Sequence, residues 1–259
     1  MARTYPVATK AATLHRDNGA AIAYHHTPGA GPGVIFCTGF RSNMEGGKAL
    51  ALEASCQSKG QQFTRFDYQG HGQSSGEFTE CTIGDWLADT LAVVDSVTAG
   101  PQVIVGSSLG GWIALLAARV RPERIAGIVG IAAAVDLTQR MWNRVDDATR
   151  RLLQTEGLWM RPSEYEPAGY PITMTLIEEG RNHLLLPGPI PFTGPVRLLH
   201  GQRDDAVPWQ LSLDTAAALA SDSVEVTLVK DGDHRLSRPE DLARLTRTVD
   251  ELSDRLRQG

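Results

Sequence analysis

The pentapeptide G-S-S-L-G at residues 106–110 contains the side chain best placed to attack a carbonyl carbon. It follows an apolar run at residues 103–105 and precedes an apolar, helix-like stretch at residues 111–118. A G-x-S-x-G sequence between a strand and a helix is typical of a nucleophile elbow, a sharp turn that requires small residues two places either side of the serine. Ser108 meets that requirement and is the predicted nucleophile. The helix that follows stabilises negative charge at its N-terminus.

The elbow also predicts an acid and a base further along the chain, because a serine hydroxyl is a weak nucleophile until a base takes its proton. On the alternating fold that carries such elbows, the order is serine, acid, histidine. Asp204 and Asp205 follow an apolar run at residues 196–199. Asp204 is the favoured acid. Asp205 stays an alternative, since two neighbouring carboxylates differ only in the direction they face.

His234 is the predicted base, since it lies in a loop after the last predicted strand and downstream of the acid. The other histidines are His15, His25, His26, His71, His183 and His200. They lie before the elbow, in a glycine-rich loop, in a long insertion, or at the end of a strand. For these six, surface or structural roles are the simpler interpretation.

Two backbone amides are expected to bind the oxyanion that forms when the serine attacks. One is the N–H of Leu109, directly after the nucleophile. The other is the N–H of Phe40, because Gly39 allows a turn after the apolar run at residues 34–37. The chain has no HGGG sequence, which argues against the lipase and esterase subgroup that uses that motif.

The elements around these residues alternate between strand and helix patterns. Strands are predicted at residues 20–27, 34–37, 63–68, 103–107, 125–132, 196–200 and 224–230, and helices at 44–59, 83–97, 109–120 and 239–257. Such alternation predicts an α/β fold, with a largely parallel sheet covered by helices on both faces.

Residues 136–195 interrupt that alternation, because about sixty residues separate two predicted strands. This segment is predicted to be a cap inserted into a core made of residues 1–135 and 196–259. Trp142, Trp159 and Met160 are the cap residues expected to line an apolar substrate pocket. Arg41, next to the predicted oxyanion loop, is expected to pair with a carboxylate on the substrate.

Composition limits the possible partners. The 259 residues carry a net charge of −5, with 42% hydrophobic and 21% charged residues, and no basic stripe suited to nucleic acid. No apolar run approaches the length of a membrane span. Three cysteines without paired spacing predict reduced thiols, and neither a metal site nor a cofactor motif is indicated. The first residues contain neither an apolar signal segment nor an Arg/Ser-rich transit sequence, which predicts a cytoplasmic protein.

With these residues in order, the chain resembles the alpha/beta-hydrolase superfamily over almost its whole length. The matching stretches are residues 44–51, 65–68, 106–112, 197–201, 204–209 and 233–235. The resemblance implies a mostly parallel sheet of eight strands, helices on both faces and a helical cap. Within the superfamily, the chain is similar to mitochondrial palmitoyl-protein thioesterases that are also described as acyl-glucuronide esterases. That likeness implies Asp204 as acid, His234 as base, and Phe40 and Leu109 as oxyanion amides.

The expected function is hydrolysis of carboxylic esters or thioesters through an acyl-enzyme, without a cofactor. The expected substrate is a small ester or thioester, or an S-acylated protein, and the expected state is a monomer or dimer. Two alternatives stay open. One is a ligand-binding protein built on the same scaffold. The other is C–C bond hydrolysis or perhydrolysis by the same three residues.

Overall fold

The computed structural model describes residues 10–162, 168–186 and 188–258. The first nine residues, on which the expectation of a cytoplasmic protein partly rests, lie outside the described residues. Within the described ranges, no helix combines the length and the apolarity needed to cross a bilayer.

The described residues form ten strands, eight of which make one sheet. The strands are Ala12–His15 (β1), Ala21–Thr27 (β2), Ala30–Cys37 (β3), Gln61–Phe66 (β4), Gln102–Ser107 (β5), Ile125–Ile131 (β6), Leu158–Arg161 (β7), Tyr170–Thr173 (β8), Val196–Gly201 (β9) and Val224–Val229 (β10). The sheet order is β1-β2-β4-β3-β5-β6-β9-β10, and each pair from β4 to β10 is parallel. β2 is antiparallel to both of its neighbours. The carboxyl ends of the parallel strands therefore share one edge, where the loops after β3, β5, β9 and β10 meet.

Helices cover both faces of this sheet. The described helices are Gly47–Ser58 (α1), Ile83–Ser96 (α2), Leu109–Val120 (α3), Leu137–Arg144 (α4), Asp147–Glu156 (α5), Met174–Gly180 (α6), Gln210–Ala218 (α7) and Pro239–Gln258 (α8). Val34 and Phe36 share an apolar cluster with α1 and α8, whereas Ile35 and Cys37 share one with α2 and α3. This alternation follows from the two-residue period of a strand. Burial on both faces explains why the central strands are continuous apolar runs.

The predicted elements and the observed ones differ mainly at an edge and in the insertion. β1 was not predicted, because it is an edge strand of only four residues, three of which are exposed. The segment between β6 and β9 contains α4, α5 and α6 and also the antiparallel pair of β7 and β8, where only helices were expected. These elements surround a small apolar cluster of Met141, Leu153, Ile172 and Ile177. The division into a core and a cap stays a prediction.

Asp136 connects the two ends of that segment. It has a φ of 55° and lies directly before α4. Its buried carboxylate accepts hydrogen bonds from the N–H of Leu185, at 2.8 Å, and of Leu186, at 3.1 Å. One carboxylate therefore holds residues 185 and 186 next to the start of the segment that follows β6.

Candidate active site

Ser108 lies at the turn between β5 and α3, in a backbone conformation that non-glycine residues rarely adopt. Its φ is 53° and its ψ is −116°. A Cβ on Gly106 would lie 2.2 Å from the carbonyl oxygen of Gly110, and a Cβ on Gly110 would lie 2.2 Å from that of Cys37. Both positions therefore require glycine, as the elbow motif predicts. The turn is held by the N–H of Ser108, which donates to the carbonyl of Ile131 at 2.8 Å.

Strained residues cluster at the same edge of the sheet. The described non-glycine residues with positive φ are Arg41, Ser108, Ala132, Asp136 and Leu236. Each of them lies in a segment that follows β3, β5, β6 or β10. Such conformations cost about 1–3 kcal/mol each and persist where the surroundings fix them, often at functional sites.

A chain of hydrogen bonds joins Ser108 to His234 and Asp204. His234 Nε2 lies 3.1 Å from Ser108 Oγ, and His234 Nδ1 lies 2.7 Å from Asp204 Oδ2. An ionised carboxylate only accepts hydrogen bonds, so Nδ1 carries the proton and donates it. The lone pair of Nε2 then faces the serine hydroxyl, which donates to it. The imidazole is thus oriented to take the proton of Ser108.

Asp204 is the acid that contacts His234, and Asp205 is not. The side chain of Asp204 is fully buried, whereas Asp205 is exposed. Asp204 Oδ1 accepts the N–H of Ala206 at 2.9 Å and that of Val207 at 2.8 Å, so the loop after β9 fixes the direction of the carboxylate.

A second histidine also contacts Asp204. The Nε2–H of His200 donates to Asp204 Oδ2 at 3.0 Å, and His200 Nδ1 accepts from the hydroxyl of Ser212 at 2.7 Å. Burial raises the pKa of Asp204, but the hydrogen bonds from His200 and His234 outweigh burial and hold the pKa well below its ordinary value. His200 is the buried, hydrogen-bonded residue that its position at the end of a strand suggests. Its contact with the acid was not foreseen, because it depends on how the loop folds back.

Two unpaired amide donors lie beside Ser108. Among the residues that the structure describes, no group accepts the N–H of Phe40 or that of Leu109. Gly39 brings the loop after β3 against the elbow, since a Cβ on it would lie 3.6 Å from Ser108 Cβ. Both predicted oxyanion residues are therefore next to the serine, with their donors free.

His71 supports the loop that contains Phe40. Its Nε2 accepts the N–H of Arg41 at 3.2 Å, and its Nδ1 lies 3.1 Å from the carbonyl of Gln69. Burial is the main cause that lowers the pKa of His71 to about 4, so the ring is neutral near pH 7. The sequence placed His71 in a glycine-rich loop and gave no sign of this contact, because the two loops are 30 residues apart.

A cavity of about 590 Å³ opens in front of Ser108 and His234. Four cationic residues line it: Arg41, Lys48, Arg161 and Arg235. Asp205 is the one carboxylate among the described lining residues. Burial and the nearby Arg235 guanidinium lower the pKa of Lys48 to about 8. The cavity therefore presents net positive charge to whatever enters it.

Apolar groups line other parts of the cavity. They include Phe40, Leu137, Met141, Tyr170 and Val207. Leu137 and Met141 belong to α4, Tyr170 belongs to β8, and Val207 follows the loop that contains Asp204. The insertion thus contributes apolar surface beside the serine, as expected, but through other residues than those selected from the sequence.

Of the residues predicted to bind substrate, the structure brings Arg41 to the cavity and places Trp142, Trp159 and Met160 elsewhere. The ring of Trp142 lies 5.7 Å from the Arg150 guanidinium and 5.6 Å from that of Arg181. Trp159 packs on the insertion's own apolar cluster. Met160 is 45% exposed.

For Met160, the physical reason is the alternation of side chains along β7. Trp159 and Arg161 are half-buried on one side, and Leu158 and Met160 are exposed on the other. Arg161 therefore lines the cavity while its neighbour Met160 does not. The sequence provides no register for a strand of four residues, so aromatic and methionine content alone misidentified the lining. Lys48 was within reach of sequence reasoning, since it belongs to the stretch at residues 44–51 that carries the family resemblance.

Known proteins match both the sequence and the fold. The family described as "Serine aminopeptidase, S33" matches residues 33–173. The mouse protein named palmitoyl-protein thioesterase ABHD10, mitochondrial, is 45% identical over 244 residues, which are 94% of this chain and 82% of that protein. The structure of alpha/beta hydrolase domain-containing protein 10 from mouse matches with a TM-score of 0.91 and 44% identity, over 96% of this chain and 100% of that one. This chain is an alpha/beta hydrolase.

A second solved structure gives the same result. A putative hydrolase from Agrobacterium vitis matches this alpha/beta hydrolase with a TM-score of 0.90 and 37% identity, over 96% of this chain and 100% of that one. The predicted fold class and family are confirmed, and so is the prediction of a hydrolase. In the parts of the chain that the structure describes, no three His, Cys, Asp or Glu side chains come together as a metal site.

The expected cytoplasmic location is wrong by the same comparison, since the similar mouse protein is named mitochondrial. The expectation rested on the lack of an apolar signal segment and of a visible transit sequence. Transit sequences are amphipathic rather than continuously apolar, so the lack of an apolar signal segment does not exclude one.

Proposed function

We propose that this hydrolase cleaves esters or thioesters through an acyl-enzyme, with Ser108 as nucleophile, His234 as base and Asp204 as the acid that orients the base. The observation that carries the proposal is the continuous hydrogen-bond chain from Ser108 Oγ through His234 to Asp204, at 3.1 and 2.7 Å. It ends at a cavity, next to two unpaired amide donors.

The reaction proceeds in two half-reactions. Ser108 Oγ attacks the carbonyl carbon while its proton moves to His234 Nε2. The tetrahedral oxyanion accepts hydrogen bonds from the N–H groups of Phe40 and Leu109. Its collapse breaks the C–O or C–S bond, and the alcohol or thiol leaves with the proton from His234. Water then attacks the acyl-serine with the same base, which releases the carboxylic acid and restores Ser108.

The lining of the cavity supports substrates that combine an apolar acyl group with an anionic group. Met141, Leu137 and Tyr170 offer apolar surface, and Arg41 and Lys48 offer positive charge. An acyl glucuronide has such a carboxylate in its leaving group. An S-acylated protein has the apolar chain, and the similar mouse protein is named a palmitoyl-protein thioesterase. Both substrate types are therefore proposed for this chain.

The test is a single-turnover reaction with p-nitrophenyl butyrate, quenched early and analysed by mass spectrometry. We expect a butyryl group on the peptide that contains Ser108. A fluorophosphonate probe is the control, because its adduct stays on the serine even if the butyryl ester hydrolyses quickly. Binding without either adduct would indicate the ligand-binding alternative. C–C bond cleavage without reaction at Ser108 would overturn the proposal.

Lys48 is expected to favour anionic substrates. Replacing it with methionine keeps most of the side-chain length but removes the charge. Because a hydrogen bond to a charged group contributes about 1.5–3 kcal/mol, we expect kcat/KM for an acyl glucuronide to fall about tenfold or more. Neutral p-nitrophenyl butyrate should lose less, because it loses only the support that the Lys48 ammonium gives to the carbonyl of Arg235, next to His234.

The control for this variant is Lys59→Met, at the other end of α1, where the ammonium pairs with Asp250. Lys59→Met should leave kcat/KM unchanged for both the acyl glucuronide and p-nitrophenyl butyrate. In the unmodified enzyme, the preference for the anionic substrate should decrease as the pH rises through about 8, where Lys48 loses its proton. Equal losses on charged and neutral substrates in Lys48→Met would show that Lys48 does not recognise charge.

A further inference from the structure

The turn at residues 39–42 holds the N–H of Phe40 beside Ser108. The N–H of Ser42 donates to the carbonyl of Gly39 at 3.1 Å, which makes Phe40 and Arg41 the two central residues of the turn. Arg41 has a φ of 55°, and the third position of such a turn usually needs glycine or asparagine for that conformation. A rotation of the peptide between Phe40 and Arg41 would relieve the strain. Something must therefore hold that peptide in place.

His71 is the group that contacts this peptide. Its Nε2 accepts the N–H of Arg41 at 3.2 Å, and its Nδ1–H donates to the carbonyl of Gln69 at 3.1 Å. The second contact fixes the tautomer, because a neutral imidazole has one donor and one acceptor nitrogen. We propose that His71 is a positioning residue that sets the direction of the Phe40 N–H by holding the Arg41 N–H. The inference rests on the proposed role of Phe40 as an oxyanion donor.

A peptide unit is rigid. The atoms between Cα of Phe40 and Cα of Arg41 lie in one plane, so a fixed N–H at Arg41 fixes that whole plane. The N–H of Phe40 shares its own peptide plane with the carbonyl of Gly39, which accepts the N–H of Ser42 at 3.1 Å. The Phe40 ring packs edge-on against Phe78 at 4.9 Å and Trp86 at 6.0 Å. With both sides held, the N–H of Phe40 keeps one direction without a hydrogen bond of its own.

The loop that presents His71 is itself rigid. The imidazole is 4% exposed and lies among the rings of Tyr68, Phe78 and Trp86, at 5.6, 5.1 and 5.3 Å. The N–H of His71 donates to the carbonyl of Tyr68 at 3.0 Å. Its next neighbour, Gly72, has no room for a side chain, because a Cβ there would lie 2.1 Å from Asp67 Oδ2.

Asp67 holds the far end of the same oxyanion loop. Its Oδ1 accepts the N–H of Met44 at 2.7 Å, and its Oδ2 accepts the N–H of Gln73 at 2.9 Å. The loop from Gly39 to Met44 is therefore attached at two N–H groups to the segment that follows β4. That segment is a support for the oxyanion donor, a role that its glycine-rich sequence alone does not reveal.

Three variants at one position test the inference. In His71→Gln, the amide oxygen reaches the position of Nε2 and can still accept the Arg41 N–H. In His71→Asn, the shorter amide does not reach it. His71→Phe keeps an aromatic ring among its neighbours but has no acceptor. The readouts are kcat and KM for p-nitrophenyl butyrate, the inhibition constant of a trifluoromethyl ketone whose adduct carries an oxyanion, and the melting temperature.

We expect kcat to fall about 10- to 100-fold in His71→Asn and His71→Phe, which is less than the full loss of an oxyanion donor. KM should change by less than about threefold, and the ketone should bind more weakly by the same factor as kcat, since it mimics the transition state. His71→Gln should recover most of the activity. If His71 acted through packing alone, the variants would change the melting temperature without a selective fall in kcat at nearly constant KM.

Equal activity in the Gln and Asn variants would overturn the inference, as would full activity in His71→Phe. If His71→Phe does not fold, the comparison of His71→Gln with His71→Asn still tests the inference. Both variants place one amide group at position 71 and differ in whether its oxygen reaches the Arg41 N–H. Complete labelling of Ser108 by a fluorophosphonate at long times shows that the nucleophile itself is intact in each variant. A lack of labelling in the unmodified enzyme would instead contradict the proposed function.

Discussion

Replacing Ser108 with alanine is expected to lower kcat for esters and thioesters by about 10⁶-fold, the size of the loss when a triad nucleophile is removed. The reason is structural. Without Oγ, His234 has no hydroxyl to deprotonate, and hydrolysis depends on water held near the free amides of Phe40 and Leu109. The measurement is the steady-state rate with p-nitrophenyl butyrate, together with the stoichiometry of fluorophosphonate labelling, which should fall to zero.

Ser107→Ala is the matched control, because it removes a hydroxyl from the adjacent residue. Ser107 ends β5 and lacks glycine at the two flanking positions that the elbow requires. This variant should keep full labelling and an activity within a few fold of the original. If labelling persists in folded Ser108→Ala and disappears in Ser107→Ala, the nucleophile is Ser107 and not Ser108.

Asp204→Asn is expected to lower kcat by about 10⁴-fold, the loss seen when the triad acid becomes an amide and the histidine takes the wrong tautomer. Here Asp204 Oδ2 accepts Nδ1–H of His234 at 2.7 Å. An asparagine NH₂ group in that place would favour a proton on Nε2, where it blocks transfer from Ser108. Asp205→Asn, the matched control, should change kcat by less than about tenfold.

Asp204→Asn is also expected to change the stability of the fold, which is measured separately from kcat. Asp204 accepts hydrogen bonds from His200, His234 and two backbone amides, so its loss leaves buried donors unpaired and should cost about 1–3 kcal/mol of unfolding free energy. The folded-state pKa of Asp204 is held below its ordinary value. The contribution of ionised Asp204 to the free energy of unfolding is therefore complete above about pH 4 and decreases as the pH falls below that value.

Denaturant titrations of the original enzyme and of Asp204→Asn at several pH values check this expectation. The gap between their unfolding free energies should be constant from pH 7 to about pH 5 and should narrow in more acidic solution. A gap that widens on acidification would contradict an ionised Asp204 in the folded state. If Asp205→Asn matched Asp204→Asn in kcat, the assignment of the acid would be wrong.

Local sequence was enough to predict the elbow, because a turn that excludes side chains at Gly106 and Gly110 needs glycine at fixed spacing. The parallel sheet was predictable for a similar reason, since strands buried on both faces are short apolar runs. Asp204 was preferred over Asp205 without proof, because only the fold of the loop decides which carboxylate turns inward. The contacts of His200 and His71 depend on loops that meet only in the folded chain.

The insertion was the least predictable part. Its aromatic and methionine content does not indicate which of its residues face the serine. The ring of Trp142 contacts two guanidinium groups. The side chains of β7 alternate, so Met160 is exposed whereas Arg161 is half-buried. A single-residue difference in register reverses such an assignment. The positive charge of the cavity was not evident from local sequence, because Arg161 and Arg235 lie far from Arg41 and Lys48 along the chain.

The carboxylate of Asp136 closes a loop in the chain. It holds the N–H groups of Leu185 and Leu186 next to the residue that precedes α4, so the two ends of the segment at residues 137–184 lie together. Lengthening such a closed loop is inexpensive, since each doubling adds only about 0.6 kcal/mol of closure entropy. Extra residues in an exposed turn of that segment should therefore cost little free energy of unfolding, provided that contacts such as the hydrogen bond from Trp112 Nε1–H to the carbonyl of His183 are kept.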